Sequence, residues 1–149
     1  MSLRIGFLVL LGVAFSVPLL GASWQTAGLE FLAGTVLGYF GGFLGAQIGA
    51  AVANLAGLGL VDGVLGPILF SYVGYAAGST LGAWFGVTWT GLRLREPGDP
   101  VLGFLGASLG TGLAFLVASF TDWEWALRLG PPLAAVWAVF GFYRFALGF

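Results

Sequence analysis

The side chains able to do chemistry in this sequence are few: six carboxylates, five arginines, scattered serines and threonines, and the amides Gln47 and Asn54. Histidine, cysteine and lysine do not occur. Their absence removes the commonest general base and metal ligand, and with them thiol catalysis, disulfides and thiolate metal sites. A serine nucleophile would have no His or Lys to take its proton and no Gly-x-Ser-x-Gly elbow to present it. Glu30, Asp62, Glu96, Asp99, Asp122 and Glu124 fall in expected loops, where solvated carboxylates are ordinary. They suggest neither an acid/base pair nor a metal cage. Asp62 and Asp99, the latter just before Pro100, have the form of helix caps. Arg93, Arg95, Glu96 and Asp99 read as a solvated face, with a docking patch for a partner as the alternative. No catalytic residue, metal ligand or cofactor is expected.

Gln47 and Asn54 stand seven residues apart in an otherwise apolar stretch. A helix stacks them on one face. An amide in lipid needs a partner, because no water is there to satisfy it. An interhelical hydrogen bond is the plain reading; a polar site facing a cavity or substrate is the sharper one. Ser71, Ser79, Thr80, Ser108 and Thr111 are expected to bond back to their own helix or across to a neighbour, for about 0.6 kcal/mol each.

The elements that position these groups follow from composition. Of 149 residues, 59% are hydrophobic and 7% charged, against about 25% charged in soluble domains. Such a chain cannot cover itself with a water-compatible surface, which makes it a membrane protein. Its net charge of −1 gives no basic footprint for nucleic acid and no polybasic patch for anionic lipid.

Five apolar segments follow one another: 3–22, Phe31–Leu55, Leu65 to about Trp89, Val101–Phe120 and Leu129–Phe149. The first reads as a retained transmembrane helix, or else as a signal sequence with small residues Gly21-Ala22-Ser23 at its cleavage site. Trp24-Gln25-Thr26, with Glu30, reads as a wet link, and Asp122-Trp123-Glu124-Trp125 as an interfacial turn. Pro67 and Pro131-Pro132 suit first helical turns, where a missing N–H costs nothing. The tail alternates Tyr143, Phe145, Leu147, Phe149 like a closing barrel strand, but segments two to four lack the polar lumen positions of a barrel. Five crossings put Arg4 and Arg128 on one side and Arg93, Arg95 and Arg144 on the other, which leaves orientation open.

Glycine spacing organises the rest. Between Gly63 and Leu92 there is no Asp, Glu or Arg, and Gly74, Gly78, Gly82 and Gly86 recur every fourth residue. Gly34, Gly38, Gly41, Gly42, Gly45 and Gly49 fall on one face of the preceding segment, and Gly106 and Gly110 mark the fourth. Stripes without side chains let helices approach closely in lipid. Packing is the preferred reading; lining a pore is the alternative. Leu37–Gly45 also matches Leu102–Gly110 at an offset of 65, and Leu65–Leu69 matches Leu129–Leu133 at 64. Residues 29–92 and 100–149 therefore read as two related helical hairpins of a single membrane domain, a parallel repeat. The second copy lacks the full zipper, with Ala138, Phe142 and Ala146 at the matching places. The long zipper is accordingly expected to meet something other than its internal partner.

The segments Gly34–Gly49, Gly74–Gly86 and Gly103–Gly110 resemble small bacterial glycine-zipper membrane proteins of uncharacterised function. The resemblance implies helix packing and carries over no functional residue. The expected architecture is an all-α polytopic transmembrane bundle of one leading helix plus two glycine-rich hairpins, in the bacterial cytoplasmic membrane. Its expected role is non-catalytic: a structural or accessory subunit that associates through its glycine faces with itself, as a homo-oligomer, or with a larger membrane complex. Membrane lipid surrounds it, and nucleic acid is not a partner. The alternative is a small oligomeric channel or transporter, its path lined by Gly, Ser, Thr, Gln47 and Asn54 at the repeat interface.

Overall fold

The computed structural model describes residues 24–58, 65–120 and 123–143. The first segment (3–22), Asp62, Asp122, Arg144 and the tail beyond Tyr143 lie outside the described residues. Four helices follow in order: α1 (Trp24–Leu55), α2 (Leu65–Arg93), α3 (Pro100–Phe120) and α4 (Trp123–Tyr143). No strand occurs among the described residues, and α4 stays helical to Tyr143, which leaves no described closing strand. Among the described residues, two stretches are long and apolar enough to cross a membrane, Gln25–Leu55 and Pro100–Phe120. Helix α2, uncharged up to Arg93 in its last turn, is not one of these, because Gly, Ser, Thr and Tyr dilute its apolarity.

Helices α1 and α2 pack antiparallel, backbone on backbone. A methyl group placed on Gly41 would meet the Gly78 carbonyl, and one on Gly78 the Gly41 carbonyl. Gly45 and Gly74 stand in the same reciprocal relation, while Gly49 faces the Phe70 carbonyl, Gly82 that of Leu37 and Gly86 that of Ala33. Each step of four residues along α1 is met by a step of four back along α2. The hydrogen that replaces each side chain then points at a carbonyl oxygen, a contact worth about 0.5–1 kcal/mol. The four-residue zipper of α2 is thus taken up inside the chain. This corrects the expectation that it meets something else.

The glycines of α1 divide into two stripes rather than one. Gly41, Gly45 and Gly49 face the α2 backbone, whereas Gly34 and Gly38 lie between two helices, against Val87 and Ala83 of α2 on one side and Ala135 and Pro131 of α4 on the other. Gly42 lies against Tyr75 and Ser79. Helices α3 and α4 repeat the backbone register: Gly106 faces the Trp137 carbonyl, Gly110 that of Leu133, and Gly141 that of Leu102. The match of Leu37–Gly45 to Leu102–Gly110 therefore has a structural counterpart. The second match does not. By register Gly82 corresponds to Gly141, and Leu65-Gly66-Pro67 opens α2 while Leu129-Gly130-Pro131 sits well inside α4.

Side chains seal the seam between the two pairs. Thr80 Oγ1 donates to Thr111 Oγ1 at 2.9 Å, and Trp84 Nε1 donates to the Pro100 carbonyl at 2.7 Å. Ser108 and Ser119 bond back to their own helix, at the Phe104 and Phe115 carbonyls. Local chemistry sets the helix ends. Leu58 N–H donates to the Ala53 carbonyl and Gly57 N–H to that of Asn54, with Gly57 left-handed at φ 64°; this is a Schellman stop. Helix α2 ends the same way, Glu96 N–H to Gly91 and Arg95 N–H to Leu92, but Arg95 occupies the left-handed position at φ 58°. Asp99 caps α3 through Val101 N–H at 2.7 Å and Leu102 N–H at 3.3 Å, with Pro100 in the first helical position.

Two predictions follow from this packing. Gly78→Ala must push the helices apart and lose about 1–3 kcal/mol, whereas Gly112→Ala meets nothing within 4 Å and gains up to about 1 kcal/mol of helix propensity. Unfolding in detergent micelles reads both; equal effects would rule out the backbone contact. Arg95→Gly relieves a left-handed non-glycine residue and stabilises by about 1 kcal/mol in the same assay.

Candidate functional site

The sequence singled out Gln47 and Asn54, and both are exposed on the side of α1 away from its glycines. They do not reach the seam between the helix pairs. A path lined by them at that seam is not what the fold builds, because the seam is occupied by the glycine face of α1. Among the described residues the buried polar side chains are Thr26, Glu30, Ser79, Thr80, Thr88 and Thr111. Two polar places stand out, and only the second draws on this set.

One is a clamp on α4. Helix α4 continues through Pro131 and Pro132, so the first turn of a new helix expected at Leu129 is instead the middle of one that began at Trp123. A proline lacks the N–H that would bond the carbonyl four residues earlier. Pro131 therefore frees the Leu127 carbonyl and Pro132 frees that of Arg128. Those two carbonyls are the ones the neighbouring pair supplies with donors. The Tyr75 hydroxyl of α2 donates to the Leu127 carbonyl at 2.6 Å, and the Tyr39 hydroxyl of α1 donates to that of Arg128 at 2.5 Å. A buried orphan carbonyl costs about 1–3 kcal/mol, so two hydroxyls make a tyrosine clamp out of a backbone defect. Pro131 itself packs on Gly38, the one place on α1 where its ring fits close.

The other place is a corner where the start of α1, the end of α2, the α2–α3 loop and the end of α4 meet. Glu30, expected in a wet link, is within α1 and has no exposed surface. Its burial follows from spacing: Thr26, Glu30, Gly34 and Gly38 recur every fourth residue on the stripe that faces α4. The Tyr143 hydroxyl donates to Glu30 Oε1 at 2.6 Å, while Oε2 has no hydrogen-bond partner. Gly91 lets α2 come close enough that a methyl there would lie 2.7 Å from Oε1 and 2.6 Å from the Phe142 ring. Gly98 of the loop makes room for the same ring, and Asp99 N–H donates to the Phe142 carbonyl at 2.9 Å. Thr88 Oγ1, one turn before Gly91, is buried without a partner. Ala27, Val87, Val139 and Phe142 supply the apolar packing.

Charge at this corner is one-sided. Glu96, its N–H bonded to the Gly91 carbonyl, and Asp99 are the nearest loop acids. Arg93 turns outward and stacks on Trp89 at 4.9 Å, and Arg95 is exposed. Among the described residues the ion pair Arg128–Glu124, 3.1 Å long and exposed, is at the far end of α4. No group of three metal-binding side chains occurs among the described residues. The corner can hold a carboxyl group away from water; it brings no nucleophile to it.

Signals for both features were present in the sequence. The four-residue spacing of Gly34 and Gly38 runs back to Glu30 and Thr26, and two prolines inside an apolar segment always free two carbonyls. Tyr75→Phe leaves the Leu127 carbonyl bare and costs about 1–3 kcal/mol. Pro131→Ala restores an N–H for that carbonyl, so Tyr75→Phe in the Pro131→Ala background costs clearly less. A double-mutant cycle on unfolding in micelles measures the difference, and equal costs would refute the clamp. Comparison of the chain with family models, with curated proteins and with solved structures finds no match.

Proposed function

We propose that this chain is a non-catalytic polytopic membrane protein, a structural subunit that assembles with copies of itself. The observation that supports this reading is a groove on the outer side of the α1–α2 pair. Its floor is the half-exposed edge of the glycine contact, Gly41, Gly45, Gly74 and Gly78, and its rims are Phe40, Leu44, Ala77 and Leu81. It is open, has a volume of about 620 Å³, and no polar side chain lines it. A glycine floor admits another helix at short range, which is what drives association in lipid. Its occupant in this reading is α3 of a second copy, whose outer ridge of Leu105, Leu109, Leu113 and Leu116 is 40–59% exposed. Ridge into groove is a heterologous contact, which closes into a ring or runs on as a filament. A helical build suits the cytoplasmic membrane of a bacterium.

Substituting zipper glycines would break the chain's own core, so the test belongs on the rim. Ala77→Trp fills the groove from its edge and is expected to convert a homo-oligomer into monomer while leaving the unfolding transition in place. Native mass spectrometry of the gently extracted protein reads both states. A wild-type monomer carrying lipid, or a complex with unrelated chains, overturns self-assembly.

A small transporter is the second reading. It is favoured by the buried polar side chains between the helix pairs, from Glu30 and Thr88 to the Thr80–Thr111 bond about 12 Å deeper along α2.

A further inference from the structure

The geometry points to Glu30 as a proton-binding site that latches the end of α4 to α1. The carboxyl has no exposed surface, one hydrogen bond, from Tyr143, and a second oxygen with no partner. A carboxylate buried without a cation costs several kcal/mol, whereas a carboxylic acid in the same place is a neutral group with one satisfied oxygen. Among the described residues, the groups that face it do not supply the missing charge. On its own helix, one turn away, is Thr26; on α2 is Thr88; on the loop is Glu96, the Asp99 carboxylate being turned to the Val101 and Leu102 N–H groups that it caps; on α4 is Tyr143. Glu96 is itself an acid, which disfavours a second negative charge, and the described arginines of this end turn outward. A metal ion fares no better, since the described residues offer no set of three ligands. A proton is the one ligand that needs no cavity, and Gly91 and Phe142 leave none.

The latch follows from where the hydrogen bond falls. Tyr143 is the last residue of α4 and Glu30 the second turn of α1. With the proton on, α4 stays docked. With it lost, the carboxylate must reach water, which requires Tyr143 and Phe142 to leave the corner. The docked state holds the extra proton, so docking is favoured at low pH and is lost as pH rises.

Infrared spectroscopy of the full chain in lipid nanodiscs, at neutral pH, tests the site. The expected result is the carbonyl stretch of a protonated carboxyl, absent from Glu30→Gln and shifted in frequency in Tyr143→Phe, where its hydrogen bond is gone. A wild-type spectrum with no such Glu30-dependent band overturns the proposal. So does a band abolished by sodium ions at constant pH, which would make the ligand a metal cation. The latch has its own readout in hydrogen exchange of the Gly141–Tyr143 amides, corrected for the intrinsic rate. Release of one proton per opening raises exchange about tenfold per pH unit in the wild type and leaves Glu30→Gln flat. Identical profiles in the two proteins overturn the latch, and Glu30→Gln, which keeps an acceptor for Tyr143, is expected to fold.

Discussion

Everything in this molecule depends on how closely α1 and α2 approach. Their contact is made by backbone atoms, Gly41 against Gly78 and Gly45 against Gly74, each residue presenting hydrogen where a side chain would collide with a carbonyl. In a lipid-like setting no hydrophobic force draws helices together, so contact must come from close packing and weak polar contacts between backbones. Glycine is the residue that allows both. The cost is a contact face with no side-chain surface of its own.

That closeness dictates the way the second pair docks. Because Gly41, Gly45 and Gly49 of α1 are spent on α2, α4 docks where Gly34 and Gly38 lie between α2 and α4. A flat stripe gives no side-chain lock, and the lock comes from hydroxyls instead. Tyr39 and Tyr75 hold α4 near its start, and Tyr143 holds it at its end. At the first of these, proline has removed the helix's own donors; at the second, a carboxyl is the acceptor. Both ends of α4 are thus tied to α1 and α2 by polar bonds, exposed at Tyr39, half-buried at Tyr75 and buried at Tyr143, where low dielectric strengthens the bond.

Much of this was legible in the residues. The glycine spacing marks α1, α2 and α3 as close-packed, Asp99-Pro100 marks the start of α3, and the repeat of Leu37–Gly45 at Leu102–Gly110 is matched in register. What the sequence hid was long-range. Glu30 looks like a loop carboxylate until Tyr143, 113 residues away, is brought against it. Pro131-Pro132 looks like a helix start because the sequence does not say that tyrosines from two other helices will satisfy the freed carbonyls. The partner of the long zipper was misjudged because α1 carries two stripes that a single helical projection merges into one. Gln47 and Asn54 are polar residues in apolar surroundings, although their face is turned away from the other described helices.

The unequal lengths of the two pairs have a consequence for any bilayer that holds them. Helices α1 and α2 have 32 and 29 residues, α3 and α4 21 each, which at 1.5 Å per residue is about 45 Å against about 32 Å. With Gly34 beside Ala135 and Gly38 beside Pro131, the start of α4 comes level with the neighbourhood of Ala46, and the rest of α1 projects beyond it. A hydrocarbon layer of about 30 Å suits the short pair and mismatches the long one. The membrane would have to thicken along one flank of the molecule, or the long pair tilt, and either response makes the surrounding lipid lopsided. Gln47 and Asn54 ride on the projecting part, where headgroups and water, rather than another helix, would complete their hydrogen bonds.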